Sequence, residues 1–492
     1  MLRKTRKIIA VAIFALITLL FLDFTGTLHL WFGWLARIQL VPAVLAVNVA
    51  VIITLVLLTL LFGRIYCSVI CPLGIFQDVI SNISGQRKGS KKRFRFSPAK
   101  SWLRYGIIGL FIVAIAASAN VIVSILDPYA VYGRMASNFF ANIYRLANNL
   151  LALIAERADS YAFYSIDVWI KSWVTFGVAV AMFLLVGILS WRSGRTYCNT
   201  ICPVGTFLGF ISRFSIFCFT FDKEKCKQCE LCEKGCKSSC IDSKNMTIDR
   251  SRCVSCFNCV ANCKFKAIKY VPAKFVHSAE NKVDVSRRTM LSLLGTMVVA
   301  GTVKAQQLHV DGGLAEIENK KIPERKTPIV PPGAVSVQNM KSKCTACQLC
   351  ISVCPNNVLR PSNKLATLMQ PEMSFERGFC RPECVECSNV CPTSAIKPIT
   401  VADKSALSIG EAIWIKDNCV VNHDEIQCKS CEWRCPTGAI TLVDRNPGYS
   451  DSLKIPAVDK ELCIGCGACE YHCPARPFSA IYVEGHIKHH SV

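Results

Sequence analysis

Long apolar runs alternate with short polar segments in the first part of the chain. The runs occupy residues 8–22, 40–62, 105–126 and 172–190. A helix needs about 20 apolar residues to cross a hydrocarbon layer of about 30 Å, and these lengths suit such a span. Buried helices of one large soluble core are the alternative, but four runs with so few internal charges do not favour it. The pattern predicts an α-helical membrane domain of four helices over residues 1–215.

A fifth apolar run differs from the others. Residues 286–305 read SRRTMLSLLGTMVVAGTVKA, with Arg287 and Arg288 before a modest apolar stretch. This is the shape of a twin-arginine export signal, here placed inside the chain, and its small terminal residues suit a cleavage site. An ordinary fifth anchor helix is the alternative. Either interpretation places the chain that follows, from a linker at 306–340 onward, across the membrane.

The placement of charge sets the orientation. The chain has 492 residues and a formal net charge of +23, and 52% of its residues are hydrophobic. The basic residues cluster beside the apolar runs, at 3–7 and 86–96, which argues against a nucleic-acid partner. Positive charge collects on the cytoplasmic side of membrane proteins. We therefore expect a multi-pass protein of the cytoplasmic (inner) membrane, surrounded by lipid, with a cytoplasmic N-terminus and a periplasmic C-terminal part.

Tight groups of cysteine carry the candidate chemistry. Among 30 cysteines, two groups, CKQCELCEKGC at 226–236 and CVSCFNCVANC at 253–263, share the spacing C-x2-C-x2-C-x3-C. In two-cluster ferredoxins the fourth cysteine of each such group binds the other cluster. Zinc prefers two CxxC pairs, and a disulfide scaffold suits a small secreted chain. The groups predict a cytoplasmic two-cluster ferredoxin domain at 216–275. Its predicted ligand sets are Cys226, Cys229, Cys232 and Cys263, and Cys253, Cys256, Cys259 and Cys236.

Four further groups follow the fifth run. Each has four cysteines and ends in proline; the first and fourth are regular, whereas the second and third contain insertions. We therefore expect the first group to pair with the fourth and the second with the third, with pairing of neighbouring groups still open. The groups predict a periplasmic four-cluster domain of α+β dicluster ferredoxin-like units at 341–485, and six 4Fe-4S clusters in the chain. The predicted ligands are Cys344, Cys347, Cys350, Cys354, Cys380, Cys384, Cys387, Cys391, Cys419, Cys428, Cys431, Cys435, Cys463, Cys466, Cys469 and Cys473. Cys218 is expected to be an inert buried thiol, and Cys240 a spare thiol near the first cytoplasmic pair.

One short stretch occurs twice. RIYCSVICPLGIF at 64–76 returns as RTYCNTICPVGTF at 195–207, each time after apolar runs. Cysteines four residues apart on a helix share one side, and two-fold packing of the copies would bring four thiols to one point. The four thiols predict a further iron or iron–sulfur centre at the membrane edge. A structural turn with inert cysteines, or reversible thiol chemistry, are the alternatives. The cysteines concerned are Cys67, Cys71, Cys198 and Cys202.

These motifs carry a resemblance to known electron-transfer proteins. Residues 1–270, with four apolar runs, two CxxxCP motifs and two ferredoxin groups, resemble the membrane quinol dehydrogenase subunit of periplasmic nitrate reductase systems (the NapH type). Residues 286–485, with the twin arginine, PPGA at 331–334 and four cysteine groups, resemble the exported four-cluster ferredoxin subunit (the NapG type). The chain is thus similar to a fusion of both. The resemblance implies oxidation of menaquinol or ubiquinol and electron transfer to a periplasmic reductase or c-type cytochrome.

The expected function is that of an electron-transfer oxidoreductase, a quinol dehydrogenase component. Quinol oxidation needs a proton acceptor near the membrane edge, for which Asp127, Tyr129 and His29 are candidates. Asp127-Pro128-Tyr129 also fits a simple helix-terminus turn. Two other functions stay open. One is a maturation or regulatory redox protein for a periplasmic metalloenzyme, because the membrane module resembles such proteins. The other is a conduit from a soluble cytoplasmic donor, which is needed because no GxGxxG nucleotide motif is present.

Overall fold

The computed structural model describes most of the chain. The described residues are 2–23, 26–85, 94–160, 163–166, 168–272, 318–447 and 452–492. The predicted signal or anchor helix at 286–305 lies outside them.

The N-terminal part is helical. Its helices are α1 (Leu2–Leu22), α2 (Thr27–Phe32), α3 (Trp34–Arg37), α4 (Leu40–Leu45), α5 (Val49–Phe62), α6 (Tyr66–Val69), α7 (Pro72–Ser84), α8 (Ser101–Ala116), α9 (Asn120–Leu126), α10 (Pro128–Met135), α11 (Ala141–Arg157), α12 (Trp173–Ser193), α13 (Thr196–Thr200) and α14 (Pro203–Ser212). In the described part of the chain, α1 and α12, with 21 residues each, are the helices long and apolar enough to cross a membrane by length and composition. Their lengths are compatible with membrane association.

The two middle apolar runs are not continuous helices. Val47 has a left-handed φ of 55° between α4 and α5, and the side chain of Asn48 caps α5 by accepting a backbone N–H. Ser118, with φ 53°, separates α8 from α9 in the same way. In each case the two short helices pack against each other. The prediction of one helix over 40–62 and one over 105–126 is therefore wrong, because a left-handed residue breaks each run into two helices.

The second half of the third run turns inside the helical part. The carboxylate of Asp127 accepts the backbone N–H groups of Tyr129 (3.1 Å) and Ala130 (3.2 Å), and Pro128 occupies the first position of α10. This is the helix-terminus turn that the sequence offered as the simpler interpretation. Asp127 is 1% exposed, because α10 packs against α7 and α12 and the turn before it lies beside Cys347 of the C-terminal part.

The next part is a small α+β unit, which we call the first ferredoxin unit. Its elements are β1 (Phe217–Phe221), α15 (Leu231–Lys234), β2 (Ile241–Asp242), β3 (Thr247–Ile248), α16 (Asn258–Asn262) and β4 (Ile268–Pro272). β1 pairs antiparallel with β4, and β2 with β3, while α15 packs against α16. Phe219, Ile241 and Phe257 belong to its separate apolar core. Cys218 is buried in β1, as its apolar neighbours predict.

The C-terminal unit is built from short helices and strands that lie within and between the cysteine groups. They are α17 (Val337–Lys343), α18 (Leu349–Ser352), β5 (Leu359–Pro361), β6 (Pro371–Met373), α19 (Glu386–Val390), α20 (Val401–Ser405), β7 (Leu407–Trp414), α21 (Val420–His423), α22 (Ser430–Trp433), β8 (Ile440–Asp444), β9 (Lys454–Val458), α23 (Ala468–His472) and β10 (Ile481–Ser491). The strands form three antiparallel pairs, β5 with β6, β7 with β10, and β8 with β9. Helix α18 packs against α19, and α22 against α23, which gives the unit two halves.

The two ferredoxin-like units contact opposite ends of the helical part. Ser172, which caps the start of α12, hydrogen-bonds to Asn363 of the C-terminal unit (2.7 Å). Just beyond the other end of α12, the backbone N–H of Arg195 donates to the carbonyl of Lys237 in the first ferredoxin unit (2.9 Å). A helix of this length spans about 30 Å. These two contacts therefore lie about 30 Å apart along α12.

A tryptophan holds the C-terminal unit against the helical part. Trp169, in the loop before α12, packs against two guanidinium groups, those of Arg360 at 4.6 Å and Arg377 at 4.4 Å from its ring. In the same loop, Lys171 donates to the carbonyl of Ile351 (2.9 Å). Arginine packed on an indole face is a favourable cation–π contact. The loop therefore forms an arginine–tryptophan clamp between the two parts.

We expect the Trp169→Ala substitution to weaken this docking by about 1–2 kcal/mol, because both cation–π contacts are lost. The measurement is hydrogen exchange of the peptides around Arg360 and Arg377, which should speed up several-fold in the variant. Trp173→Ala is the matched control, since Trp173 is 68% exposed and contacts Phe176 within its own helix. Equal protection in both variants would contradict the clamp.

Candidate iron–sulfur sites

Two cavities in the first ferredoxin unit are lined by cysteine. We call them site A and site B. Helix α15 belongs to the first cysteine group and α16 to the second, and the two helices pack against each other. The cysteines lining site A are Cys226, Cys229, Cys232 and Cys263. Those lining site B are Cys253, Cys256, Cys259 and Cys236, with Cys240 beside them. The fourth cysteine of each group therefore lies at the other group's cavity, as the ferredoxin spacing predicts.

The loops of the regular groups share an unusual backbone. The residues on either side of the second cysteine have left-handed φ values, at Gln228 and Glu230 (48° and 59°) and again at Ser255 and Phe257 (50° and 60°). The same left-handed conformation occurs at Ala346 and Gln348 and at Gly465 and Gly467. Residues other than glycine adopt this backbone conformation only where the surrounding structure imposes it. Such turns direct backbone N–H groups into a concave anion site, which fits the sulfides and thiolates of an iron–sulfur cluster.

The C-terminal unit pairs neighbouring groups. The thiol of Cys391 lies close enough to those of Cys344, Cys347 and Cys350 to interact with them electrostatically, and we call such residues electrostatic neighbours. Helix α18 of the first group packs against α19 of the second. The third and fourth groups meet in the same way through α22 and α23. The expectation that the first group pairs with the fourth is therefore wrong. The insertions do not set the pairing, because the helix before the fourth cysteine of each group packs against the equivalent helix of the neighbouring group in the chain.

This pairing gives four cysteine sets, which we call sites C to F. Site C has Cys344, Cys347, Cys350 and Cys391, and site D has Cys380, Cys384, Cys387 and Cys354. Site E has Cys463, Cys466, Cys469 and Cys435, and site F has Cys419, Cys428, Cys431 and Cys473. The backbone N–H of Cys380 donates to the carbonyl of Cys466 (2.9 Å), so sites D and E touch. Cys431 is an electrostatic neighbour of Cys469, which places site F beyond site E.

The thiols of these sites suit a group larger than one ion. All 30 cysteines are free, so disulfides do not account for the groups. Among the described residues, no three His, Cys, Asp or Glu side chains are grouped tightly enough to hold a single metal ion, which zinc would do at about 2.3 Å from each sulfur. Burial raises the pKa of Cys256 to about 11 and that of Cys347 to about 12. A thiol with a raised pKa carries its proton at neutral pH, so binding of iron to the sulfur has to release that proton.

The duplicated motif also forms one site, which we call site M. Its cysteines are Cys67, Cys71, Cys198 and Cys202, all at most 3% exposed. Cys202 is an electrostatic neighbour of the other three, so the two copies meet as two-fold packing predicts. Cys71 and Cys202 are the caps of α7 and α14, and the Cys202 sulfur accepts the backbone N–H of Gly205 (3.4 Å). The positive ends of two helices thus point at the thiols.

An arginine of each copy binds the other copy. Arg64 donates to the carbonyl of Cys198 (3.3 Å), and Arg195 donates to the carbonyl of Cys67 (2.5 Å). Both arginines are completely buried. This exchange has the symmetry of the duplication and joins the two motifs at the residues that carry the first thiol of each.

The glycine of each motif allows this close packing. A Cβ atom on Gly74 would lie 2.3 Å from the carbonyl oxygen of the first cysteine in its own motif, and one on Gly205 would lie 2.1 Å from the equivalent oxygen. Any side chain at either position would force the following helix away from the thiols. The repeated glycine is therefore explained by backbone contact.

The charges around site M are not symmetric. Asp78 forms a buried cluster with three cations, and its partners are Arg6, Lys237 and Arg195 at 3.6, 3.5 and 2.8 Å. Arg64 forms no ion pair among the described residues, and donates instead to Asn199 (2.9 Å) and to the carbonyl of Ser251 (3.0 Å). A buried cation without a carboxylate is costly. The uncompensated charge of Arg64 fits an anionic group at the four thiols of site M.

Site M has contacts toward both ferredoxin-like units. On one side, Asn199 donates to the carbonyl of Ser238 (3.1 Å), beside site B. On the other side, Arg134 of α10 donates to a backbone carbonyl between the first two cysteines of site C (3.4 Å). Gly133 lies so close to site C that a Cβ atom would be 2.4 Å from the carbonyl of Cys347. Arg134 is also an electrostatic neighbour of Tyr197, which precedes a site M cysteine. Helix α10 therefore lies between sites M and C.

The candidate quinol residues fall into two places. Asp127 and Tyr129 lie in the turn before α10, where Tyr129 is an electrostatic neighbour of Cys347 of site C. His29 lies instead beside Asp23, with its Nδ1 atom 3.2 Å from the carboxylate, and near Glu386 of the C-terminal unit. The sequence predicts the helix-terminus turn at Asp127 but not the position of Tyr129 beside Cys347, because that contact joins distant segments of the chain.

Comparison with protein families agrees with these sites. A model described as a 4Fe-4S binding domain matches residues 44–91 and 175–217, which contain the two CxxxCP motifs. Models described as 4Fe-4S dicluster domains match residues 249–358 and residues 426–476, the second across the groups that form sites E and F. The chain is an iron–sulfur electron-transfer protein of the ferredoxin type.

Curated relatives identify the family more closely. The chain is 30% identical over 159 residues to the ferredoxin-type protein NapF of Escherichia coli (strain K12), which covers 32% of this chain and 87% of NapF. It therefore belongs to the ferredoxin-type protein family that includes NapF. It is also 31% identical to the methylamine utilization ferredoxin-type protein MauM of Methylobacillus flagellatus, over 30% of this chain and 64% of MauM. The ferredoxin-type protein NapG of E. coli is 31% identical over 29% of this chain. The chain spans less than two thirds of the length of this MauM (64%) and of this NapG (64%).

Proposed function

We propose that the chain is a fused NapH-type and NapG-type protein of the inner membrane, which oxidises quinol and delivers electrons to a periplasmic reductase or c-type cytochrome. Clusters of the 4Fe-4S type bound at sites A to F and at site M would supply one-electron transfer. The observation that carries the proposal is the position of buried His29 near Glu386, which directly precedes Cys387 of site D. From site D, sites E and F continue the series through the C-terminal unit.

The orientation follows from the charges at the start of α1. Arg3, Lys4 and Lys7 lie there with Arg6, which pairs with Asp78 beside the first ferredoxin unit. The positive-inside rule puts this end in the cytoplasm, together with sites A and B. The C-terminal unit, which contacts the other end of α12, would then lie in the periplasm. Helices α1 and α12 and the helix pairs α4–α5 and α8–α9 would form the membrane part.

His29 is the best placed of the three candidate proton acceptors. The carboxylate of Asp127 already caps α10, and Tyr129 is packed against site C. His29 is buried, and its Nε2 atom has no hydrogen-bond partner among the described residues. The next residues in the chain are Leu30 and Trp31, which are 83% and 77% exposed. Exposed tryptophan and leucine beside a buried histidine suit a membrane interface where a quinol ring enters.

The surroundings of His29 also suit the electron step. Quinol oxidation releases two protons and two electrons. The Nε2 atom of neutral His29 would take one proton, since Asp23 holds Nδ1 on the other side of the ring. Glu386 is placed to take the second, because its carboxylate lies 3.1 Å from where a Cβ atom on Gly26 would be. Glu386 directly precedes Cys387 of site D, so the electrons would enter the C-terminal unit there.

The His29→Gln variant tests this proposal. A positioned base contributes about 10²–10⁴-fold to such a step, so we expect quinol-driven cluster reduction to slow at least 100-fold. Reduction by dithionite and the iron content should stay unchanged. His490→Gln is the control, because His490 is exposed on β10. A wild-type rate of quinol-driven reduction in His29→Gln would refute His29 as the acceptor. No quinol-driven reduction in the wild-type protein would refute quinol as the donor.

Electron transfer from a soluble cytoplasmic donor is a second candidate function. The contacts of site M with both sites B and C favour it, because they connect the first ferredoxin unit to the C-terminal unit. Reduced viologen outside inverted membrane vesicles should then reduce sites C to F without quinol. Vesicles in which viologen reduces sites A and B alone would rule this function out.

A further inference from the structure

Site B has one cysteine more than a 4Fe-4S cluster uses. Its cavity is lined by five thiols, those of Cys236, Cys240, Cys253, Cys256 and Cys259. The Cys240 side chain is buried, and its sulfur lies 3.5 Å from that of Cys236. A hydrogen bond also joins the Cys240 and Cys253 thiols. Cys240 is therefore part of the lining of site B, not a thiol elsewhere in the unit.

The backbone fixes both neighbouring thiols at the cavity. Between them the chain makes a tight turn, in which the N–H of Ser239 donates to the carbonyl of Cys236 (3.0 Å) and Ser239 has φ 49°. The carbonyl of Cys240 accepts the N–H of Asp249 (2.9 Å), and β2 begins directly after it. The turn replaces the proline that follows the fourth cysteine in the C-terminal groups, since Lys237 occupies that position. Both sulfurs thus reach the same wall of site B.

We propose that Cys236 and Cys240 are interchangeable fourth ligands of the cluster at site B. In the exchange, the bond between iron and the Cys236 sulfur breaks and a bond to the Cys240 sulfur forms. The proton of the Cys240 thiol passes to the Cys236 sulfur over the 3.5 Å between them, so no electron is gained or lost. The inference rests on the proposed cluster at site B and on no other part of the proposed function.

The exchange gives site B two environments. Lys237, next to Cys236, is held by Asp78 at 3.5 Å and lies beside site M, whereas Cys240 leads into β2. The thiol that is not bound donates a hydrogen bond to the bound sulfur, and hydrogen bonds to cluster sulfurs change the reduction potential. The ligand choice would therefore set how readily site B exchanges electrons with site M.

The test compares Cys236→Ala, Cys240→Ala and the double variant in the full-length protein, purified without oxygen. Each single variant should keep its iron and acid-labile sulfide, but the electron paramagnetic resonance spectrum of reduced site B should shift, because the second thiol is gone. The double variant should lose about four irons. Cys218→Ala is the control, since Cys218 is buried in β1 and does not line the cavity.

Three outcomes would overturn the proposal. Loss of about four irons in Cys236→Ala, with an unchanged spectrum in Cys240→Ala, would make Cys236 the sole ligand. The reverse result would make Cys240 the sole ligand. Full iron in the double variant would show that site B holds no cluster, which would refute the proposed ligands of site B as well. A slow quinol reaction in otherwise iron-replete variants would affect the proposed function alone.

Discussion

The Cys67→Ala, Cys198→Ala double variant should lose about four irons per chain and divide the clusters into two separate pools. The two substitutions remove the first thiol of each copy, so site M keeps two of its four cysteines. The contacts that lead from site M to site B and to site C start beside these residues. We expect quinol still to reduce sites C to F, because His29 lies beside site D, but no longer to reduce sites A and B.

The measurement is electron paramagnetic resonance of quinol-treated membranes together with iron analysis. Dithionite should reduce both pools in the variant, which distinguishes a broken connection from misfolding. Cys218→Ala again provides the control for loss of a buried thiol. Unchanged iron content and normal reduction of sites A and B by quinol would show that site M is a structural turn with inert cysteines.

The Asp78→Asn variant should be strongly destabilised. Asp78 is the carboxylate that pairs with Arg6, Arg195 and Lys237, which are 5%, 0% and 11% exposed at their side chains. An amide leaves three buried cations without a counter-charge, and breaking a buried ion pair costs about 3–5 kcal/mol. Because the partners come from α1, the second CxxxCP motif and the first ferredoxin unit, the loss should loosen all three together.

Denaturant unfolding of the purified protein in detergent measures this loss. Asp222→Asn is the matched control, since Asp222 pairs with Lys225 and Lys269, whose side chains are 57% and 53% exposed. Exposed ion pairs contribute little to stability, so the control should unfold at the wild-type midpoint. Equal midpoints for all three proteins would mean that the Asp78 cluster does not stabilise the fold.

Local spacing was sufficient to predict which cysteines lie together in the first ferredoxin unit. The C-x2-C-x2-C-x3-C pattern specifies a loop and a following helix, so it already contains the geometry of sites A and B. The duplication likewise indicated that Cys67 and Cys198 would approach each other. These features depend on short stretches of chain or on symmetry, and both are visible in the sequence.

Features that depend on distant segments were not visible. The pairing of the C-terminal groups follows from which helices pack together, and cysteine spacing does not encode that choice. The Asp78 cluster joins residues from three separate segments, so no local pattern announces it. The breaks at Val47 and Ser118 were missed because neither residue type favours a left-handed conformation. The sequence indicates that Cys240 is a spare thiol, but it does not indicate that the sulfur of Cys240 lies close to that of Cys236.

The arginine exchange at site M has a consequence for biosynthesis. Arg64 and the first motif leave the ribosome well before Arg195 and the second motif, yet each arginine needs a carbonyl of the other copy. Until the second copy arrives, the carbonyl of Cys198 and two of the four thiols are absent. A cluster held by all four thiols of site M could therefore form only after Cys202 is made, and a nascent chain stopped before α13 would carry only two of its ligands.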